Sequence, residues 1–67
     1  MVLETEELLF DIDSIQAIVI LEDTPNRFEI MVGTQGNVMK MEDDSARAVV
    51  HAYKQKTRTY RYTYEDG

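Results

Sequence analysis

Apolar residues fall at every second position in several stretches of this chain and at helical spacing in one. Leu8, Phe10 and Ile12 alternate with Leu9, Asp11 and Asp13, a period of two that predicts a strand behind the acidic residues Glu4, Glu6 and Glu7. After an Asp13-Ser14 turn, residues 15–21 read IQAIVIL. Asp13 could cap a helix there, with Ile15, Ile18 and Val19 on one side. β-branched residues crowd a helix, however, and suit a pleated sheet. The stretch is therefore expected to be a strand. Both of its faces are apolar, which places it centrally, covered on both sides. Asp23-Thr24-Pro25-Asn26 is a turn signal, because Pro presets φ and Asn tolerates turn geometry. Phe28, Ile30 and Val32 then share one side of the next strand. Residues 33–37 form a Gly-containing hairpin loop, and residues 38–41 return as a short strand. Met31, Met39 and Met41 are expected to share a surface across this hairpin, as core filler or as an adaptable binding face.

The pattern changes at Glu42-Asp43-Asp44-Ser45. Acids here meet the positive end of a helix dipole, and any of the last three residues suits a cap. Ala46, Val49, Val50 and Tyr53 lie at i, i+3, i+4 and i+7, one apolar stripe. Arg47, His51 and Lys54 fall on the other side, and the helix is expected over about 44–56. Residues 57–64, TRTYRYTY, alternate strictly, with Arg58, Tyr60, Tyr62 and Tyr64 on one face and Thr57, Thr59, Arg61 and Thr63 on the other. High β propensity predicts a last strand over about 58–64, with residues 65–67 fraying. The fold class that follows is α+β: a small antiparallel β-meander of three to four strands, one helix on one face, and a C-terminal Tyr-rich strand. The 67 residues make one domain.

Composition narrows the chemistry. The chain has no Cys and one His, His51, so disulfides, thiolate metal sites and a multi-His zinc site within one chain are excluded. The longest apolar run, residues 17–21, is far short of a membrane span. The acidic start, MVLETEELLF, is unlike a secretory signal, and the expectation is a cytoplasmic protein with no membrane partner. The net charge is −6, from 13 acids and 7 bases. Residues 1–37 carry eight acids against Arg27 alone, whereas residues 45–64 carry Arg47, Lys54, Lys56, Arg58 and Arg61 and no acid. Such a dipolar chain suits a basic protein partner or contact between copies. Its overall acidity opposes general nucleic-acid binding.

Catalytic motifs are missing. Asp11 and Asp13 share one side of an extended segment but lack the further ligands and the Gly of a calcium loop. No nucleophile elbow surrounds Ser14 or Ser45 to work with His51. Gly33-Thr34-Gln35-Gly36 lacks the GK[ST] ending of a phosphate loop. A pocket of a few hundred Å³ is hard to enclose in a chain this short. The protein is thus expected to be no enzyme and to use no cofactor or metal.

The layout of FDIDSIQAIVILEDTPNRFEIMVGTQGNVMKMEDDSARAVVHAYKQKT, residues 10–57, resembles small flagellar-operon proteins of the FlbD type. A looser similarity, through the Gly36-Asn37 hairpin leading to a helix in an acidic chain, is to small phage inhibitors of RNA-guided nucleases that mimic DNA. Neither resemblance carries residue roles onto this chain.

Three functions remain in view. The first is a homodimeric, regulatory protein-binding module with Arg58, Tyr60, Arg61, Tyr62 and Tyr64 as its contact surface, since Tyr and Arg dominate interface hot spots. The second is an acidic inhibitor that occupies the nucleic-acid channel of a basic enzyme through Glu4, Glu6, Glu7, Asp11, Asp13, Glu22 and Asp23. The third is single-stranded nucleic-acid binding by the Tyr- and base-rich residues 53–64, in which rings stack on bases and Lys and Arg neutralise phosphate.

Overall fold

The computed structural model describes residues 1–63. Strands β1 (Val2–Glu4) and β2 (Leu9–Asp11) form an antiparallel ribbon of their own, with Leu3 opposite Phe10. A single 3-10 turn, Ile12–Ser14, leads into β3 (Ile15–Asp23). Strands β4 (Phe28–Thr34) and β5 (Asn37–Glu42) follow as a meander, and helix α1 spans Asp43–Lys56. The sheet order is β3-β4-β5, all antiparallel. The architecture is α+β, as the sequence pattern predicts, with one helix packed on a small antiparallel sheet.

Local chemistry explains most boundaries. In the ribbon turn, the Thr5 hydroxyl accepts from the N–H groups of Glu7 and Leu8 at 3.2 and 3.0 Å. The Asp11 carboxylate accepts from the Asp13 N–H at 3.0 Å and caps the 3-10 turn. Thr24 and Arg27 exchange backbone hydrogen bonds that close the β3–β4 turn. Gly36 turns the β4–β5 hairpin with φ of 81°, a conformation open to Gly without a Cβ penalty.

The register sorts the sheet into two faces. Ile30 and Met41 are partners, as are Val32 and Met39, and Ile20 and Ile18 lie beside Ile30 and Val32 on the same face. This face meets the apolar stripe of α1. Ile12, Ile15, Phe28, Ile30, Val32 and Met41 are buried with Ala46, Val49 and Ala52. Leu3, Leu8 and Phe10 of the ribbon close the same core from the side, with Leu8 sharing a depression with Met39, Met41 and Ser45. The helix lies over β4 and β5 rather than β3.

Four expectations need correction. The stretch 15–21 is a strand, but it is an edge strand, because β1 and β2 pair with each other and leave the first strand of the meander outermost. The three methionines do not share a surface: Met39 and Met41 face the helix, whereas Met31 pairs with Lys40 on the opposite face. No side chain caps α1. Asp43 instead adopts φ of 53°, and its carboxylate accepts from the Phe28 N–H at 3.3 Å, tying the helix start to β4. Residues 58–63 form no strand. The Thr57 N–H and hydroxyl both bond to the Tyr53 carbonyl, at 3.1 and 2.8 Å, and close the helix. Beyond it, high β propensity alone does not produce a strand. Tyr64 and residues 65–67 lie outside the described residues.

Candidate interaction surface

β3 is nine residues long and, among the described residues, pairs along one side only, with β4. Three consecutive apolar residues on it are half exposed: Val19 at 56%, Ile20 at 54% and Leu21 at 50%. Ile20 stands on the helix face, next to half-buried Ile18, at a position α1 does not reach. Val19 stands on the opposite, open face beside Met31. Register irregularities between Ile15 and Ala17 and between Ile20 and Glu22 bracket the continuous stretch 17–20. Exposed edges of natural sheets are usually blunted by Lys, Pro, inward charges or bulges. Residues 16–21 of β3 contain no Lys, Pro or charge, and the two irregularities leave 17–20 unbroken between them.

The other sheet edge differs. On the open face, Glu29 is nearly buried in an ionic cluster, paired with Arg27 and held 3.6 Å from Lys40, while Glu42 lies 3.5 Å from both bases. Glu29 foremost, with Glu42 and Glu22, raises the Arg27 pKa above its ordinary value. Lys40 thus stands on β5, where charge guards the edge. At the helix face, the Arg47 guanidinium covers the Phe28 ring at 5.0 Å from its centroid, a cation–π contact.

The charges gather at two poles along the strand direction. Glu6, Glu7 and Asp44 line one open depression of about 230 Å³ at the start of α1. Asp43 joins this end to Phe28, and Phe28 is the partner of Asp23. Glu22, Asp23 and the ribbon-turn acids, with Glu4 beside them, therefore share the pole at which β3 ends. The opposite pole is basic. Lys56 is ion-paired with Asp13 just before β3 begins, and Lys54, Arg58 and Arg61 flank it in the chain. Asp13 also pairs with the Met1 ammonium. The Lys56 ammonium first, and the N-terminal ammonium second, lower the Asp13 pKa to about 2.

The residues singled out from sequence are thus only partly brought together. Of the acids, Glu4, Glu6, Glu7, Glu22 and Asp23 fall at one pole, whereas Asp11 is a cap and Asp13 is neutralised by its partners at the other. Among the described residues no three acids or His are grouped to hold a metal ion. Arg58, Tyr60, Arg61 and Tyr62 follow the helix as exposed, irregular chain, with Tyr60 87% exposed. Ser14 donates to the Asp11 carbonyl at 2.7 Å, and His51 lies 3.1 Å from the Gln55 side chain on the exposed side of α1. The surface that sequence reasoning missed is Val19, Ile20 and Leu21. Its signal was present: a run apolar on both faces needs two apolar environments, and a second molecule can supply one. No helix among the described residues is long and apolar enough to cross a membrane.

Comparison with protein-family models, curated proteins and solved structures gives no match, so neither resemblance noted in the sequence gains support.

Proposed function

We propose that this chain is a small, non-enzymatic protein-binding module that works by strand addition at β3. The observation that carries this reading is the long unpaired edge of β3 with Val19, Ile20 and Leu21 half exposed on it. Strand addition draws affinity from backbone hydrogen bonds and specificity from the side chains alongside. Here the outer edge pairs with no strand among the described residues, and apolar side chains flank it on both faces. Affinity capture from the source cell, with the wild type and a Val19→Lys/Leu21→Lys variant as baits, tests it. The expected result is a partner retained by the wild type and lost by the variant, with an unchanged far-UV circular dichroism spectrum. Loss on Tyr60→Ala/Tyr62→Ala instead, with the β3 variant still binding, would move the contact to the C-terminal segment.

The acidic pole favours a second reading, that of an inhibitor of a basic enzyme. Glu4, Glu6, Glu7, Glu22 and Asp23 project from one end of the molecule, with Asp43 and Asp44 at the start of α1 adding to them. Such a complex would weaken steeply as salt rises from 50 to 500 mM, because exposed charges are screened within about 10 Å at 0.1 M. Strand addition through Val19 and Ile20 would not.

A further inference from the structure

We infer that the partner at β3 is a second copy of this chain, joined antiparallel about a two-fold axis that passes Val19. The inference rests on the strand-addition reading and names its partner. Two-fold pairing requires a surface complementary to itself, and β3 has one. With Val19 opposite the second copy's Val19, Ile18 falls opposite the second copy's Ile20 on the helix face, and the reverse contact repeats beside it. Both half-covered isoleucines then gain an apolar neighbour, while Val19 meets Val19 on the open face. No charged residue occurs between Ile15 and Glu22 to oppose its like.

Charge at the poles selects the antiparallel direction. β3 ends at the acidic pole, in Glu22 and Asp23, and begins two residues after Asp13, the ion-pair partner of Lys56, which Arg58 follows in the chain. In the register above, Asp23 of one copy lies opposite Ile15 of the other, next to the second copy's basic pole, and the symmetry makes this contact twice. Parallel alignment would instead set acid against acid and base against base. Opposite charges at the ends with a neutral apolar centre steer and register such a pairing. The product is one six-stranded antiparallel sheet with both helices on the same face. β3 becomes central in it, the setting its composition calls for.

The chain has no Cys, so one introduced thiol reports one contact. Directly opposed residues in an antiparallel pair have Cβ atoms within disulfide reach. Val19→Cys is expected to form a disulfide-linked dimer under mild oxidation. Val38→Cys, 67% exposed on the guarded strand β5, is expected to remain monomeric. In sedimentation at micromolar to millimolar concentration the wild type is expected to dimerise. Asp23→Lys or Arg58→Glu is expected to weaken the dimer about tenfold, and the double variant to restore it. Equal cross-linking of both Cys variants, or no rescue by the double variant, would overturn the register and pole contacts. A strict monomer with residues 58–63 protected from amide exchange would put the chain's own tail on β3. A monomer that captures a different protein through Val19 would overturn the second copy and leave the protein-binding reading standing. A monomer that captures nothing would remove both.

Discussion

β3 and β4 are neighbours, hydrogen-bonded along their length and both largely apolar, yet they live in different environments. Ile30 on β4 is fully buried; its direct partner on the same face, Ile20 on β3, is half exposed. One strand further from the helix is enough to make that difference. The pair teaches that apolar composition marks a strand that needs covering, whereas topology decides what covers it.

The largest test of this contrast is a matched truncation. Ile30→Ala is expected to cost about 2–5 kcal/mol, because it removes buried methylenes and leaves a cavity. Ile20→Ala should cost the monomer under about 1 kcal/mol. Urea titration of the two variants at a concentration where the protein is monomeric measures the gap. Equal losses would mean that β3 is covered in the free protein.

Asp43 supplies the next test, since it anchors the helix over β4. Asp43→Ala both puts a Cβ-only residue at positive φ and removes the acceptor for the Phe28 N–H, at a combined cost of about 2 kcal/mol. Asp43→Asn keeps the acceptor and tolerates the same φ, so its midpoint should stay near that of the wild type. A smaller contrast separates the cross-strand partners Glu22 and Glu29. Glu29→Ala, which leaves Arg27 and Lys40 without their shared carboxylate, should lose about 1 kcal/mol, and Glu22→Ala within about 0.5.

The smallest expected effect is a pH dependence at the basic pole. Folding holds the Asp13 carboxyl at about 2, below its ordinary 3.8, chiefly through Lys56. A depressed carboxyl stabilises the fold fully above the unfolded value, and this stabilisation is lost as pH falls through the folded one. Between pH 4 and pH 2 the wild type should therefore lose more stability than Asp13→Asn. Parallel curves would show that the ion pair contributes nothing.

Much of the fold was legible in the sequence because its signals are local. The helix is written in the spacing of Ala46, Val49, Val50 and Tyr53, and the β4–β5 hairpin in Gly36. β1 was hidden because three residues alternate too briefly to register, and its pairing depends on the turn that Thr5 builds. The rank of β3 in the sheet is a non-local property: nothing in IQAIVIL says whether another strand lies beyond it. The Tyr-rich segment carries strand propensity, but propensity alone does not make a strand, and residues 58–63 stay irregular although β3 presents an outer edge close to the end of α1. The candidate surface shifted for the same reason, from the exposed tyrosines to the strand left outermost.

β5 ends at Glu42 and α1 begins at Asp43, so a single residue at positive φ converts strand into helix with no loop between them. Each residue advances a helix by about 100°. One residue inserted at this joint would swing Ala46 out of the core and carry Ser45 and His51 into the buried places of Ala46 and Ala52. The β3–β4 turn is exposed at residues 24–26, where the same insertion would lengthen a surface loop and rotate no core side chain. Length is therefore a quantity the chain must conserve at one connection and is free to vary at another, and descendants of this sequence should differ in length at the turn and never at the joint.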